Sequence, residues 1–191
     1  MKKYKLTKET KTIGNRTLYR IKALRDFGDI KSGNLGGFVE SENNLSHEGN
    51  CWVYGCAKVY GLAKVYQDAK LYDWAKVYDK AEVYGRAKVY GWARVCDKTY
   101  IYDKAKVYGC AEVYGEAEIC GWAKVYGKAK IYGQAKIFGE ARIHKKARVY
   151  GGAKVCGGAE VSGRARVYGD AIIYGYVNIS CNATIIDGNV C

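Results

Sequence analysis

Apolar residues recur along this chain at a fixed interval of six. Over Val53–Ile185 every sixth residue is Val, Ile or Leu, without an insertion. An Ala stands two positions before nearly all of them, over Ala57–Ala183, and Thr99 and Val177 are the exceptions. The repeated phrase is Ala-x-Val-Tyr-Gly-x, in which x is most often charged. Self-similarity at a fixed period is typical of solenoid proteins, so the repeat is the first guide to the fold.

Within the phrase the apolar and polar positions alternate, which is the period of a β-strand. Ala and Val are predicted to face one way, and x and Tyr the other. The Gly then turns the chain, because it accepts the left-handed backbone angles of a tight corner. A helix needs apolar residues three and four apart, which this period does not supply. Hairpins would need corners of alternating geometry, whereas all corners here share one chemistry. The sequence therefore predicts parallel strands wound into a coil, with each hexad forming one side.

This pattern resembles the hexapeptide-repeat, left-handed β-helix family, over all of Cys51–Ile185. The resemblance implies a left-handed coil with three sides, one hexad to each side, and pairing of each strand with the strand three hexads later. Trp74 and Trp92 are three hexads apart, as that spacing requires. The expected fold class is all-β: a single-stranded parallel β-solenoid of about eight triangular coils, roughly 35–40 Å long, with Val and Ala inside.

The first 45 residues do not follow the period. The stretches YKLTKETKTI and RTLYRIKALRDF are predicted as two short strands, with IGN as the turn between them. We therefore expect an N-terminal β cap over 1–45 and the solenoid over 46–186. The last residues, 187–191, form a C-terminal end where the repeat drifts out of register.

The stretch SGNLGGFVESENNLSHEGNCWVYG resembles bacterial and phage proteins of the YdcK-like family. In that family a G-x-x-G-G-aromatic-V segment leads through N-L-S-x-x-G-x-C-W into the first hexads. The matching residues are Gly33, Gly36, Gly37, Phe38, Val39, Asn44, Leu45, Ser46, Gly49, Cys51 and Trp52. The resemblance marks a junction between cap and solenoid, and it implies no activity.

The chain is strongly basic, with 32 Lys and Arg against 19 Asp and Glu and a net charge of +13. Such an excess indicates either a well-solvated surface or polyanionic partners. The eight Cys form no CxxC pair and only two His are present, so no metal site is expected. Scattered thiols suit a reducing cytoplasm. The N-terminus has charge but no apolar run, so neither a signal peptide nor a membrane association is expected.

Many left-handed β-helix proteins are acyltransferases, and a few are carbonic anhydrases. In the acyltransferases the catalytic His lies in a cleft between subunits, usually beside a loop that breaks the repeat. No loop breaks this repeat; His144 takes the place of a Tyr, and His47 lies in the junction without a recognisable carboxylate partner. The carbonic anhydrases need three His ligands. We therefore expect no catalytic residue and no cofactor, and predict that the protein is not an enzyme.

The outward residues sort into three ladders if three hexads form a turn, and the first ladder has five successive cations with no acid in its column. Like charges opposite each other destabilise a sheet. The stems of these cations either lie over the Tyr rings with their amino groups in water, or they form a basic, aromatic stripe for a polyanion. Rings stacked on one another would not be free for bases. The candidate binding residues are Lys70, Tyr72, Trp74, Lys88, Tyr90, Trp92, Lys106, Tyr108, Lys124, Tyr126 and Arg142.

Three functions stay open at this point. The favoured one is a non-enzymatic rod that binds an acidic macromolecule, either nucleic acid or a protein complex that handles it. Since the resemblance extends to phages, one form of this would be an inhibitor of a host defence complex. The second is a scaffold that self-assembles through its C-terminal end or its Tyr ladders. The third is an acyltransferase-like enzyme with a site at a subunit junction, near His47 or His144.

Overall fold

A computed structural model describes residues 2–191 of the chain. The cap begins with an antiparallel hairpin of β1 (Tyr4–Ile13) and β2 (Arg16–Ala23), joined by a turn in which Gly14 has a φ of 57°. Strand β3 (Leu35–Val39) is antiparallel to β2 on one edge and parallel to the solenoid strand Lys58–Val59 on the other. The sheet of the cap is therefore continuous with one side of the solenoid. A single 3₁₀ turn follows at Glu42–Asn44.

The rest of the chain winds into three parallel sheets of eight two-residue strands each. The first side consists of Trp52–Val53, Lys70–Leu71, Lys88–Val89, Lys106–Val107, Lys124–Val125, Arg142–Ile143, Glu160–Val161 and Asn178–Ile179. The second consists of Lys58–Val59, Lys76–Val77, Arg94–Val95, Glu112–Val113, Lys130–Ile131, Arg148–Val149, Arg166–Val167 and Thr184–Ile185. The third consists of Lys64–Val65, Glu82–Val83, Tyr100–Ile101, Glu118–Ile119, Lys136–Ile137, Lys154–Val155, Ile172–Ile173 and Asn189–Val190.

The pairing confirms the predicted spacing of three hexads, as in Lys88 with Lys106 and Val89 with Val107. The drift predicted at the C-terminal end also occurs, because Ile172 pairs with Asn189, one position short of three hexads. A parallel β-solenoid of about eight turns behind an N-terminal strand region is thus confirmed, and the left hand of the coil stays a prediction.

The inward positions carry the repeat's Val, Ile, Leu and Ala, and nearly all of them are fully buried. Each such Val contributes about 1.5–3 kcal/mol by leaving water. The exception Thr99 is buried as well, and its hydroxyl donates a 2.7 Å hydrogen bond to the carbonyl oxygen of Cys96. In the last turn Val177, Ala183 and Ile185 are only partly buried.

The cap covers the first turn with side chains from far along the chain. Trp52 is 1% exposed and meets Tyr4 and Phe27 edge to face. Lys3 is completely buried, and its Nζ donates to the carbonyl oxygen of Cys51 at 2.9 Å. Burial lowers the pKa of this amino group, since the surroundings disfavour its charged form.

No helix among residues 2–191 has the length and apolar character needed to cross a membrane. The eight Cys are all free thiols.

Candidate polyanion-binding surface

The five cations predicted on the first side lie in one column. Successive strand pairs place Lys70 beside Lys88, then Lys106, Lys124 and Arg142, each in register with the next. Neighbouring strands are about 4.8 Å apart, so the column has one cation on each turn of the solenoid, at intervals of about 4.8 Å. It ends where Arg142 pairs with Glu160.

The cap neutralises the first of these cations. Asp29 forms an ion pair with the amino group of Lys70 and accepts a 2.8 Å hydrogen bond from the Tyr54 hydroxyl. The Lys70 contact is the main reason that the pKa of the Asp29 carboxyl lies below its usual value. In the part of the chain that the structure describes, the other four column members have no carboxylate oxygen within 4.0 Å. These four are Lys88, Lys106, Lys124 and Arg142.

The aromatic rings of the first side stack along the coil. From Tyr90 through Tyr108 and Tyr126 to His144, ring centroids are 4.7–4.8 Å apart and ring planes lie within 7°. Burial raises the pKa of Tyr90, Tyr108 and Tyr126. The rings are packed against one another, so the ladder offers hydroxyl groups and ring edges to a partner rather than ring faces.

A cavity lies where two stacks meet on this side. Tyr54 and Tyr72 form one stack, with centroids 4.5 Å apart, and Tyr90 begins the next. Between them is an open cavity of about 310 Å³, lined by Tyr72, Asp73, Lys88, Tyr90 and Lys106. Two of the four cations without a carboxylate partner thus line a concave site beside aromatic rings.

The corner between the first and second sides carries two exposed indoles. Trp74 and Trp92 stack with centroids 4.9 Å apart and planes 6° apart. We name the residues at this position of successive turns the first corner column: Cys56, Trp74, Trp92, Cys110, Lys128, Lys146 and Arg164. All the binding residues predicted from the sequence therefore lie on the first side or in this column.

Exposed cations that were not among the predicted binding residues extend this surface towards the C-terminal half: Lys128, Lys146 and Arg164 lie in the first corner column. The three-hexad spacing would have placed these three there, had it been applied to the corner positions as well as to the sides. Arg148 and Arg166 are exposed on the adjoining second side, where the same spacing does place them.

Both histidines lie near a carboxylate, but only His144 is within hydrogen-bond distance of one. The Nε2 of His47 is 3.6 Å from Oε2 of Glu42 and has no hydrogen-bond partner among residues 2–191, while its ring stacks on Tyr4 and its Nδ1 accepts the backbone N–H of Lys3. His144 lies on the first side at the end of the Tyr ladder, 2.8 Å from Oε1 of Glu160. A carboxylate that orients an imidazole is one element of general-base chemistry.

One cluster on the second side has donor atoms close enough to hold a metal ion. Ligand atoms of Asp79, Cys96 and Asp97 lie within 4.8 Å of one another, and both carboxylates are exposed. Burial raises the pKa of the Cys96 thiol, so it is protonated near neutral pH, when it is a poor ligand. The donor set is therefore a weak one.

No protein-family model matches this chain. The "Uncharacterized acetyltransferase YdcK" of Escherichia coli (strain K12) is 37% identical to it over 62 aligned positions, and the match covers 28% of this chain and 19% of that protein. The similarity indicated by the junction residues is thus confirmed over part of the chain. Since the match spans about a fifth of the relative's length, the activity in that name comes to this chain only as a proposal.

Proposed function

We propose that the first side and the first corner column bind an acidic macromolecule, and that this macromolecule is a nucleic acid. The observation that carries the proposal is the run of four consecutive cations, Lys88 to Arg142, without a carboxylate partner. Two of them line a cavity with aromatic walls. Elsewhere the chain does interleave acids with cations, as in the ion pair of Lys130 with Glu112 at 2.6 Å.

Charge repulsion makes such a column costly in the free protein. Each pair of like charges on neighbouring strands destabilises the sheet by a few tenths of a kcal/mol. A bound polyanion would relieve this repulsion and would release its own counterions. Both effects favour a ligand with regularly spaced negative charges, and a sugar-phosphate backbone has them.

The test is a titration of the protein with a mixed-sequence single strand and a duplex at several salt concentrations. With four cations engaged, the logarithm of the affinity should fall with the logarithm of the salt concentration with a slope of about −3 for single strands. The oligomeric state is measured in parallel, because assembly through the C-terminal end or the Tyr ladders would multiply the number of cations per particle.

A charge-reversed triple variant, Lys88→Glu, Lys106→Glu and Lys124→Glu, should lose binding while it keeps the fold. The matched control reverses three exposed lysines elsewhere, Lys64, Lys80 and Lys154, for the same change in net charge. Equal losses in both variants would show that net charge alone acts and would refute a site on the first side. Wild-type protein that binds neither strand at low salt would point instead to a protein partner, such as a host defence complex.

Acyl transfer is the second candidate function, favoured by the relative's name and by the pair of His144 and Glu160. In this candidate His144 would act as the general base and Glu160 would orient its ring. The assay is turnover of acetyl-coenzyme A with amine and hydroxyl acceptors, compared between the wild-type protein and His144→Asn. Turnover that disappears in a folded His144→Asn variant would support this function; wild-type turnover equal to the protein-free background would remove it.

A further inference from the structure

In the first corner column the stacked aromatic rings end at Trp92. One turn later the column has only the short, exposed side chain of Cys110, and Lys128 follows after one more turn. We call the space beside Cys110, between Trp92 and Lys128, the open step. Backbone hydrogen bonds keep these turns adjacent: Trp92 donates to Gly109, and Cys110 donates to Gly127, both at 2.7 Å. Trp92 and Lys128 are thus two strand spacings apart, about 10 Å, with little side chain between them.

One face of the Trp92 indole is open at this step. Trp74 covers the other face, and Trp92 is 60% exposed against 47% for Trp74. Trp122, on another corner, differs because the amino group of Lys104 lies 4.0 Å from its ring centroid. The first-side rings, including Tyr72 and Tyr90 beside the cavity, are half-buried, so Trp92 is the most exposed aromatic ring of this surface and the best placed to stack on a ligand.

Cations flank the open step on two sides. Lys106 precedes Cys110 on the same turn, and Lys128 follows it in the first corner column. Neither amino group has a carboxylate oxygen within 4.0 Å among the residues described. A flat ring that stacked on Trp92 would therefore have a cation within reach for the negative charge on either side of it.

We propose that a base of a single-stranded nucleic acid stacks on Trp92 in the step left open by Cys110, with its flanking phosphates bound by Lys106 and Lys128. This inference rests on the proposed function and adds the site of base contact. A duplex keeps its bases paired and stacked inside, so it engages the cations alone. Base stacking on Trp92 therefore favours single-stranded over double-stranded nucleic acid.

The experiment compares an oligodeoxyadenylate with an abasic strand of equal length, which has the same phosphates but no bases. Binding is followed by anisotropy of a labelled strand and by quenching of tryptophan fluorescence. We expect the wild-type protein to bind the base-bearing strand about tenfold more tightly than the abasic strand, since stacking on an aromatic side chain contributes about that factor or more per base.

Two variants should bring the ratio of the affinities for the base-bearing and abasic strands to about one, whatever their effect on binding of the phosphates. Trp92→Ala deletes the stacking face, and Cys110→Leu fills the open step with a side chain that offers no aromatic face. The matched controls are Trp122→Ala, at a different corner, and Cys110→Ser, which keeps the step open; both should retain the preference.

The outcomes separate this inference from the function on which it rests. Equal binding of base-bearing and abasic strands by the wild-type protein would overturn the stacking site and leave phosphate binding intact. A preference that persists in Trp92→Ala would also overturn it. Absence of binding to both strands at low salt would refute the proposed function together with the stacking site.

Discussion

At the scale of single residues, the same left-handed backbone conformation at the corners is adopted both by Gly and by Asp. Most corners have a Gly with positive φ, but Asp73, Asp97 and Asp103 adopt the same conformation, with φ of 55–59°. Each of these carboxylates accepts the backbone N–H of the corner Gly one turn later, at 2.8–3.2 Å. The hydrogen bond offsets the strain of a left-handed residue, which is why Asp can replace Gly here.

Alanine substitutions at two corner glycines should distinguish the energetic cost of backbone strain from the cost of a steric clash with the next turn. Gly109 has a φ of 70°, and a Cβ there would lie 2.9 Å from the backbone nitrogen of Gly127. At Gly55, with a φ of 57°, the nearest atom would be 3.8 Å away. We expect Gly55→Ala to cost about 1 kcal/mol in unfolding free energy, from backbone strain alone, and Gly109→Ala about 2–3 kcal/mol.

Gly109→Asp should be less destabilising than Gly109→Ala, because its carboxylate can accept the N–H of Gly127 as Asp73 accepts that of Gly91. Urea unfolding followed by circular dichroism measures all three variants. If Gly109→Asp proved the least stable, the proposed role of the corner carboxylates would be wrong.

At the scale of elements, the strands are only two residues long and depend on their neighbours. Each gives one inward Val, Ile or Leu to the core and one outward residue to a ladder, so stability is mostly a sum over adjacent turns. The Tyr that follows most solenoid strands extends this arrangement outward, with ring stacking on all three sides. The ladders are therefore part of the fold as well as of its surface.

The Tyr ladders predict a loss of stability in alkali. Burial raises the pKa of many ladder rings in the folded chain, including Tyr72, Tyr90, Tyr108 and Tyr126. Unfolded tyrosines ionise near pH 10, so above about pH 10 the folded chain holds more protons and its stability falls as the pH rises. Each such ring contributes at most about 1.4 kcal/mol per pH unit, and less where water screens it.

Lys3 acts in the opposite direction. Because the pKa of Lys3 is lowered in the folded chain, the chain's stability rises as the pH rises towards about 10.5, the pKa of an unfolded lysine. Above that pH the stability no longer changes through Lys3. The many tyrosines therefore dominate in alkali. Urea unfolding at about pH 8, 9.5 and 11, with tyrosinate absorbance recorded in the folded protein, checks this. Constant stability across that range would contradict the prediction.

At the scale of the whole molecule, the cap and the solenoid together shape the candidate surface. The cap covers the first turn and neutralises Lys70 through Asp29, so the accessible cations begin at Lys88. From there they run along the first side and the first corner column towards the C-terminal end. Binding at low salt should therefore involve the middle and later turns more than the turn under the cap.

The sequence by itself determined a parallel solenoid with one hexad on each side. The turn of three hexads was implied by the resemblance to the left-handed β-helix family, and the two together place Lys88 beside Lys106 and Trp74 beside Trp92, because solenoid contacts join residues at a constant separation. The same spacing explains why all five cations of the first-side column were placed correctly from their residue numbers.

Only the tertiary structure decided the contacts that have no period. Asp29 reaches Lys70 across 41 positions, Lys3 is buried against Cys51, and the two first-side stacks meet at a cavity between Tyr72 and Tyr90. These contacts depend on how the irregular cap lies on the first turns and on how side chains are packed there. Neither follows from a repeating pattern, because the residues of the cap have no counterpart in later turns and a side-chain packing break such as that between Tyr72 and Tyr90 is not encoded in the period.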